Sequence, residues 1–179
     1  NISNKASIAC AQTNIQYIRF ERPAWAEQKE DNWLALSDWS EVLSNLKGCR
    51  RVFLTAGQTP EEVLQTMAQM PIKLYLRTAV KPSFTLPENV VWIKAIGPFD
   101  ETSEKTWLKD NQVDLIVSKN SGGTATYGKI AAARELGILV CMFKRPTKPK
   151  MSGKNLNTFD NLNACIDYIS TIKPNKTTS

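Results

Sequence analysis

Hydrophobic positions along this chain alternate between two spacings. Ile2, Ala6, Ala9 and Cys10 recur at helical intervals, and Gln16–Phe20 then reads as a short strand. Residues 24–37 are rich in tryptophan and charge and read as a loop. Trp39, Val42, Leu43 and Leu46 give a helix over Ser37–Leu46 that stops near Gly48. Strands are then expected at Arg51–Thr55, Ile72–Thr78, Val90–Ile96, Asp114–Ser118 and Ile138–Phe143. Helices separate most of them. One opens at Pro60 with two acids behind it, one follows Asp100 as a cap, and one runs from Gly123 to Leu136 with Gly137 as a left-handed stop. A last helix carries Phe159, Leu162, Ile166 and Ile169 on one face, and 174–179 reads as a frayed tail.

This order predicts an α/β fold, a Rossmann-like parallel sheet with helices on both faces. A boundary is expected near 47–50. Residues 1–46 then form the end of an amino-terminal lobe, and 47–173 form a carboxyl-terminal Rossmann-like lobe. The first helix has no start signal before it and the chain begins with Asn1, so an amino-terminal piece is expected to be missing.

Composition narrows the function classes. The 179 residues are 42% hydrophobic and 22% charged, which is ordinary for a globular protein. No apolar run reaches the roughly 20 residues of a membrane span, and no signal peptide is visible, so a cytoplasmic location is expected. Histidine is absent, which excludes Ser-His-Asp and Cys-His catalysis within the chain. Cys10, Cys49, Cys141 and Cys165 form no C-x-x-C pair, so no metal site is expected, and Cys141 and Cys165 read as buried thiols.

The net charge is +6, and Lys144, Arg145, Lys148, Lys150 and Lys154 crowd one segment. No aromatic interleaving or nucleic-acid motif accompanies them, so no nucleic-acid partner is expected. Solubility alone explains such a run, and so does an anionic small molecule.

In open α/β sheets ligands bind beyond the carboxyl ends of the strands. Here those ends carry Thr55-Ala56-Gly57, Arg77, Gly97-Pro98-Phe99, Lys119-Asn120-Ser121-Gly122-Gly123 and Arg145-Pro146. The fourth is the strongest, because glycines admit a ligand to the backbone and a helix start offers free amides to an anion. Thr124 adds a hydroxyl, and Lys119 and Lys129 add charge. Gly123 to Lys129 has the spacing of a phosphate-binding P-loop, but Ile130 stands where a magnesium-binding Ser or Thr belongs. The next strand also lacks a Walker-B aspartate, which argues against an NTPase. Arg77 ends the second strand of the carboxyl-terminal lobe, where an arginine accommodates the 2′-phosphate of NADP. A surface arginine capping a strand is an equal alternative.

At these residues the chain resembles the precorrin-6A reductase family. Asp114-Leu-Ile-Val-Ser-Lys-Asn-Ser-Gly-Gly, Lys129-Ile-Ala-Ala-Ala-Arg-Glu-Leu-Gly and Val140-Cys-Met-Phe-Lys-Arg-Pro146 look like its carboxyl-terminal signature. Arg19-Phe-Glu-Arg-Pro-Ala-Trp25, Phe53-Leu-Thr-Ala-Gly57 and Gly97-Pro-Phe99 match its other blocks in order. The family's amino-terminal glycine-rich motif and Asp-Ala-Thr-His-Pro segment would precede Asn1. The resemblance implies two Rossmann-like lobes, NADPH as cofactor, and reduction of precorrin-6A or cobalt-precorrin-6A to precorrin-6B in cobalamin biosynthesis. It places the cofactor on Thr55, Gly57, Arg77, Gly97, Pro98, Phe99, Lys119–Thr124, Lys129 and Arg145. A polyanionic tetrapyrrole is the implied partner, with Arg19, Arg22, Lys148 and Lys150 for its carboxylates and Arg145 for either ligand. A monomer is expected, and no catalytic acid is assigned. Lys119 and Tyr127 are candidates. The rival from another class is a non-catalytic nucleotide- or anion-binding module.

Overall fold

The computed structural model describes residues 2–145 and 155–172. In chain order the elements are α1 (Ile2–Gln12), β1 (Tyr17–Phe20), β2 (Trp33–Leu36), α2 (Trp39–Ser44), β3 (Arg51–Leu54), α3 (Glu61–Ala68) and β4 (Lys73–Thr78). They continue with β5 (Val90–Lys94), α4 (Glu101–Asp110), β6 (Leu115–Lys119), α5 (Gly128–Leu136), β7 (Leu139–Phe143), β8 (Leu156–Phe159) and α6 (Leu162–Thr171).

The chain forms two compact units, Ala24–Pro146 and Asn1–Pro23 with Thr147–Ser179. The larger holds a six-stranded, wholly parallel sheet in the order β2-β7-β6-β3-β4-β5. Parallel strands joined by crossovers are covered on both faces, so both sets of alternating side chains are apolar. Val52, Leu54, Leu74, Leu76, Leu115, Val117 and Cys141 enter one core with Val42 of α2 and Leu64 and Met67 of α3. The intervening Phe53, Tyr75, Ile116, Val140 and Met142 enter a second core with Leu108 of α4 and Ile130, Ala132 and Ala133 of α5. Burial pushes the Cys141 thiol up to about 11, with Cys49 adding to the rise, so Cys141 packs as a neutral thiol. Cys165 is also buried and free.

The smaller unit pairs β1 with β8 in parallel, from Tyr17 opposite Leu156 to Phe20 opposite Phe159. Asn161 caps α6 by accepting from the Ala164 amide, and Tyr168 on that helix packs at 5.1 Å against Phe159.

The sequence missed two strands. Residues 24–37 were expected as loop, yet Trp33–Leu36 is β2, the edge strand beside β7. Four residues flanked by charge are too short to show an alternating pattern, and the neighbour that orders them lies far along the chain. The residues before Phe159 were expected as a polar loop and Phe159 itself as part of the last helix, yet Leu156–Phe159 is β8, for the same reason. The expected division near 47–50 also falls elsewhere. β2 and α2 belong to the larger unit because β2 completes its sheet, and α6 belongs to the smaller one.

Gly128 opens α5 where helix propensity prefers alanine. A Cβ there would lie 2.7 Å from the Phe99 carbonyl oxygen and 3.1 Å from the Glu101 nitrogen, both backbone. Gly128→Ala therefore costs about 1–3 kcal/mol in overpacking against about 1 kcal/mol gained in propensity. Urea denaturation is expected to show a net loss of stability, and a gain would mean that the 97–101 loop yields freely.

Candidate functional site

β3 and β6 are neighbours in the sheet. β3 leads through α3 to β4 on one side, and β6 leads through α5 to β7 on the other. This reversal of strand order makes a crevice at their carboxyl ends. The Thr55–Gly57 turn leaves β3 there, and Lys119–Thr124 leaves β6.

The two ends meet. Gly57 has φ +86°, and a Cβ on it would touch Lys119 Nζ at 3.6 Å, so the Lys119 ammonium lies against the bare glycine backbone. Thr55 is anchored by donating its hydroxyl to the Val117 carbonyl at 3.0 Å. Gly122 and Gly123 have φ +67° and +74°, a left-handed pair that side chains disfavour. Among the described residues, the amides of Ser121, Gly122, Gly123 and Thr124 donate to no protein acceptor. A run of amides without a partner among the described residues, beside a cation, has the chemistry to hold an anion.

Helix α5 begins at Gly128, not directly after Gly123 as the sequence suggested. Thr124–Tyr127 forms an intervening turn, and the 97–99 loop covers the helix start. The Phe99 amide donates to the Ala125 carbonyl at 2.9 Å, and Gly128 packs on the Phe99 backbone. The helix start is thus covered, and the amides without a partner among the described residues are the loop's.

A strap that the sequence left as loop holds this turn in shape. The Asn120 side chain accepts from the Trp25 amide at 2.8 Å and donates to the Trp25 carbonyl at 2.9 Å. The Trp25 indole donates to the Gly123 carbonyl at 2.7 Å. Further along, Asp31 accepts from Arg134 at 2.9 Å, and Gln28 donates to the Tyr127 hydroxyl at 3.1 Å. Asn120 is therefore a clamp, and its own carbonyl accepts from Arg145 Nε at 2.7 Å.

Two expected ligand residues are placed otherwise. Arg77 was expected to face a 2′-phosphate. Its guanidinium stacks on Phe99 at 4.0 Å and Phe53 at 4.7 Å and grips Glu104 with both terminal nitrogens. The two side chains are only 9% and 8% exposed, so Arg77 is tied into the protein and not presented to solvent. Lys129 was expected to supply charge to the ligand. It is buried, donates to the Thr126 carbonyl at 2.7 Å and lies 5.2 Å from the Trp25 ring. Burial holds its ammonium down to about 8, Arg77 lowers it further, and Glu104 opposes the shift. Lys129 lies under the Trp25 ring and Arg77 against Phe99 and Phe53, and no spacing rule reports either placement.

Beside the receptor a pocket of about 500 Å³ opens at the carboxyl ends of β2, β7 and β6. It brings Lys119, Asn120, Ser121 and Arg145 together with Lys144, Phe143 and three residues the sequence did not single out, Ser37, Asp38 and Trp39. Recognising β2 would have exposed the last three, since they follow its end. Gly97, Pro98 and Phe99 support the turn from behind. Arg19 and Arg22 belong to the smaller unit, while Lys148, Lys150, Lys154 and Pro146 fall outside the described residues. Tyr127 is engaged by Arg134 and Gln28.

These contacts carry two expectations. Arg77→Ala leaves Glu104 buried without its partner and is expected to cost about 3–5 kcal/mol in urea denaturation. A loss under about 1 kcal/mol would show that the pair does not hold the fold. Lys129 sits near 8 when folded against 10.5 ordinarily, so the unfolded chain binds more protons between those values. Its burial thus weakens the fold below pH 8, and stability recovers as pH rises toward 10.5. Lys129→Met removes this penalty of about 3 kcal/mol and forfeits a hydrogen bond of about 1 kcal/mol. The variant is expected to be more stable at pH 7, and its advantage is expected to vanish by pH 10.5. An advantage equal at both pH values would show that Lys129 does not titrate in that window.

Comparison with known proteins bears on the family and the fold. The family model described as "Precorrin-6x reductase CbiJ/CobK" matches residues 1–170. A precorrin-6A reductase of Sinorhizobium sp is 41% identical over 145 residues, 80% of this chain and 55% of the relative. One from Rhodococcus erythropolis is 30% identical over 175 residues, 96% of this chain and 67% of the relative. The solved structure "CobK precorrin-6A reductase" superposes with a TM-score of 0.82 at 28% identity, covering 94% of this chain and 65% of that one. The chain spans little more than half the length of the Sinorhizobium relative. With its doubly wound sheet and its amide turn at the strand reversal, this chain belongs to the precorrin-6x reductase CbiJ/CobK family.

Proposed function

We propose that the chain is part of an enzyme that uses NADPH to reduce one double bond of the precorrin-6A macrocycle, or of its cobalt complex, giving precorrin-6B in cobalamin biosynthesis. The observation that carries this reading is the turn at the strand reversal, where Lys119 lies against Gly57 and the Ser121–Thr124 amides have no partner among the described residues. A dinucleotide's phosphates fit this set, because glycine admits them to the backbone and the charge complements them. Family membership supports a reductase, and the names of the relatives support the substrate.

Thr55, Gly57, Lys119, Ser121, Gly122, Gly123 and Thr124 hold the cofactor's phosphates in this reading. Gly97, Pro98, Phe99, Asn120, Lys129 and Arg77 shape and brace the receptor. When bound, NADPH supplies the hydride. The chain's residues fix where the cofactor lies and so set the distance to the reacting carbon. Arg145, Lys148, Lys150, Arg19 and Arg22 are proposed for substrate carboxylates, on charge and on the polyanionic substrate.

The test supplements the chain with the portion of a curated relative that it does not span, then follows NADPH absorbance with precorrin-6A. Steady oxidation is expected, with NADPH preferred to NADH. Lys119→Gln is expected to raise KM for NADPH about tenfold, the equivalent of about 1.4 kcal/mol. NADPH binding without oxidation, where a curated relative turns over, would instead identify a non-catalytic anion-binding module.

A further inference from the structure

The candidate site lies at the carboxyl ends of the strands, and a second cluster of charge lies at their amino ends. Arg51 opens β3, Lys73 opens β4, and the two are paired in register. Neighbouring strands lie about 4.8 Å apart, and like charges directly opposite one another destabilise a sheet. The Lys73 amide also donates to the Arg50 carbonyl at 2.8 Å, which brings Arg50 to the same corner. These three cations line a cavity of about 640 Å³ whose other walls are Gly48, Cys49 and Pro71.

No acid offsets them there. Asp114, just before β6, directs one carboxylate oxygen at the Arg50 and Arg51 amides, at 2.6 and 2.7 Å. Among the described residues, ion pairs join Arg19, Arg77, Lys105 and Arg134 to acids, and none includes Arg50, Arg51 or Lys73. Lys73 lies 5.3 Å from the Tyr75 ring instead. Gly48 has φ +89° and open space where a Cβ would stand, and its amide donates to no acceptor among the described residues. Burial raises the Cys49 thiol and Asp114 adds to the rise, so that wall is neutral.

We propose that this corner is a second anion site, which takes a compact phosphate or diphosphate between Arg50, Arg51 and Lys73. It stands at the other end of the sheet from the Ser121–Thr124 turn and does not rest on the reductase reading. Guanidinium forks meet phosphate oxygens two at a time, and an ammonium adds a point charge. A multivalent anion replaces the repulsion between register neighbours with attraction to both. Its binding and the stability of the sheet are therefore coupled.

The probe is inorganic pyrophosphate, titrated into the nitrogen-labelled 179-residue chain and followed by backbone amide NMR shifts. Saturating shifts are expected at Gly48, Cys49, Arg50, Arg51 and Lys73, as a set separate from any at Ser121–Thr124. Arg51→Gln/Lys73→Gln is expected to raise Kd for that set about tenfold. Lys81→Gln, beyond the other end of β4, is expected to change it less than about twofold. Arg50→Gln, outside the strands, is expected to raise Kd about fivefold, so a folding defect in the double variant cannot decide the result. The double variant also removes the like-charged neighbours, and without pyrophosphate it is expected to melt no lower than the parent chain. In a Lys119→Gln background, which weakens the other candidate anion site, pyrophosphate is expected to raise Tm, and the double variant to lose most of that rise. Shifts reproduced by sodium chloride at equal ionic strength, an unchanged Kd in both the double variant and Arg50→Gln, or a DNA duplex binding more tightly than pyrophosphate through the same residues each overturns the proposal.

Discussion

β3 and β6 lie side by side, but the helices that follow them cover opposite faces of the sheet. That one constraint separates their outgoing loops and leaves backbone exposed between them. Everything proposed for the site depends on the gap. Lys119 reaches across it to Gly57, the amides of the left-handed Gly122–Gly123 pair have no partner among the described residues, and the 24–31 strap fixes that turn through Asn120. The apolar alternation of β3, β4, β6 and β7 supplies the rigidity, because each strand is pinned by two cores at once.

Charge is distributed by the same logic. Cations that complete the fold are buried and committed, as Arg77 is to Glu104 and Lys129 to Thr126. Cations that remain at the surface, Lys119 and Lys144, stand at strand ends on the carboxyl rim. Burial thus separates committed from exposed charge, since Arg77 too stands at the carboxyl end of a strand and both kinds look alike in the chain.

That is why the fold was largely legible in the sequence while the site was only partly so. Long buried strands such as Arg51–Leu54 and Leu115–Lys119 carry their own periodicity, and Asp100 and Gly137 announce helix ends locally. The Ser-Gly-Gly turn was readable because glycine pairs signal backbone that a side chain would obstruct. β2, β8 and the pocket residues Ser37, Asp38 and Trp39 were not, since their order comes from partners far away in sequence. Arg77 and Lys129 misled for a related reason. An arginine at a strand end and a lysine after a glycine-rich turn match ligand patterns, and only packing reveals Phe99 on one and Trp25 over the other.

The late partners of the two edge strands also bear on how the chain is made. Trp33 of β2 pairs with Val140, and Tyr17 of β1 with Leu156, so each strand is synthesised more than a hundred residues before its neighbour exists. Contacts of such long range close slowly. The β3–β6 core can form first, since its members follow one another closely. β1 and β2 therefore wait for partners in the last third of the chain, and a strand edge left unpaired over such an interval is the kind of surface through which chains aggregate.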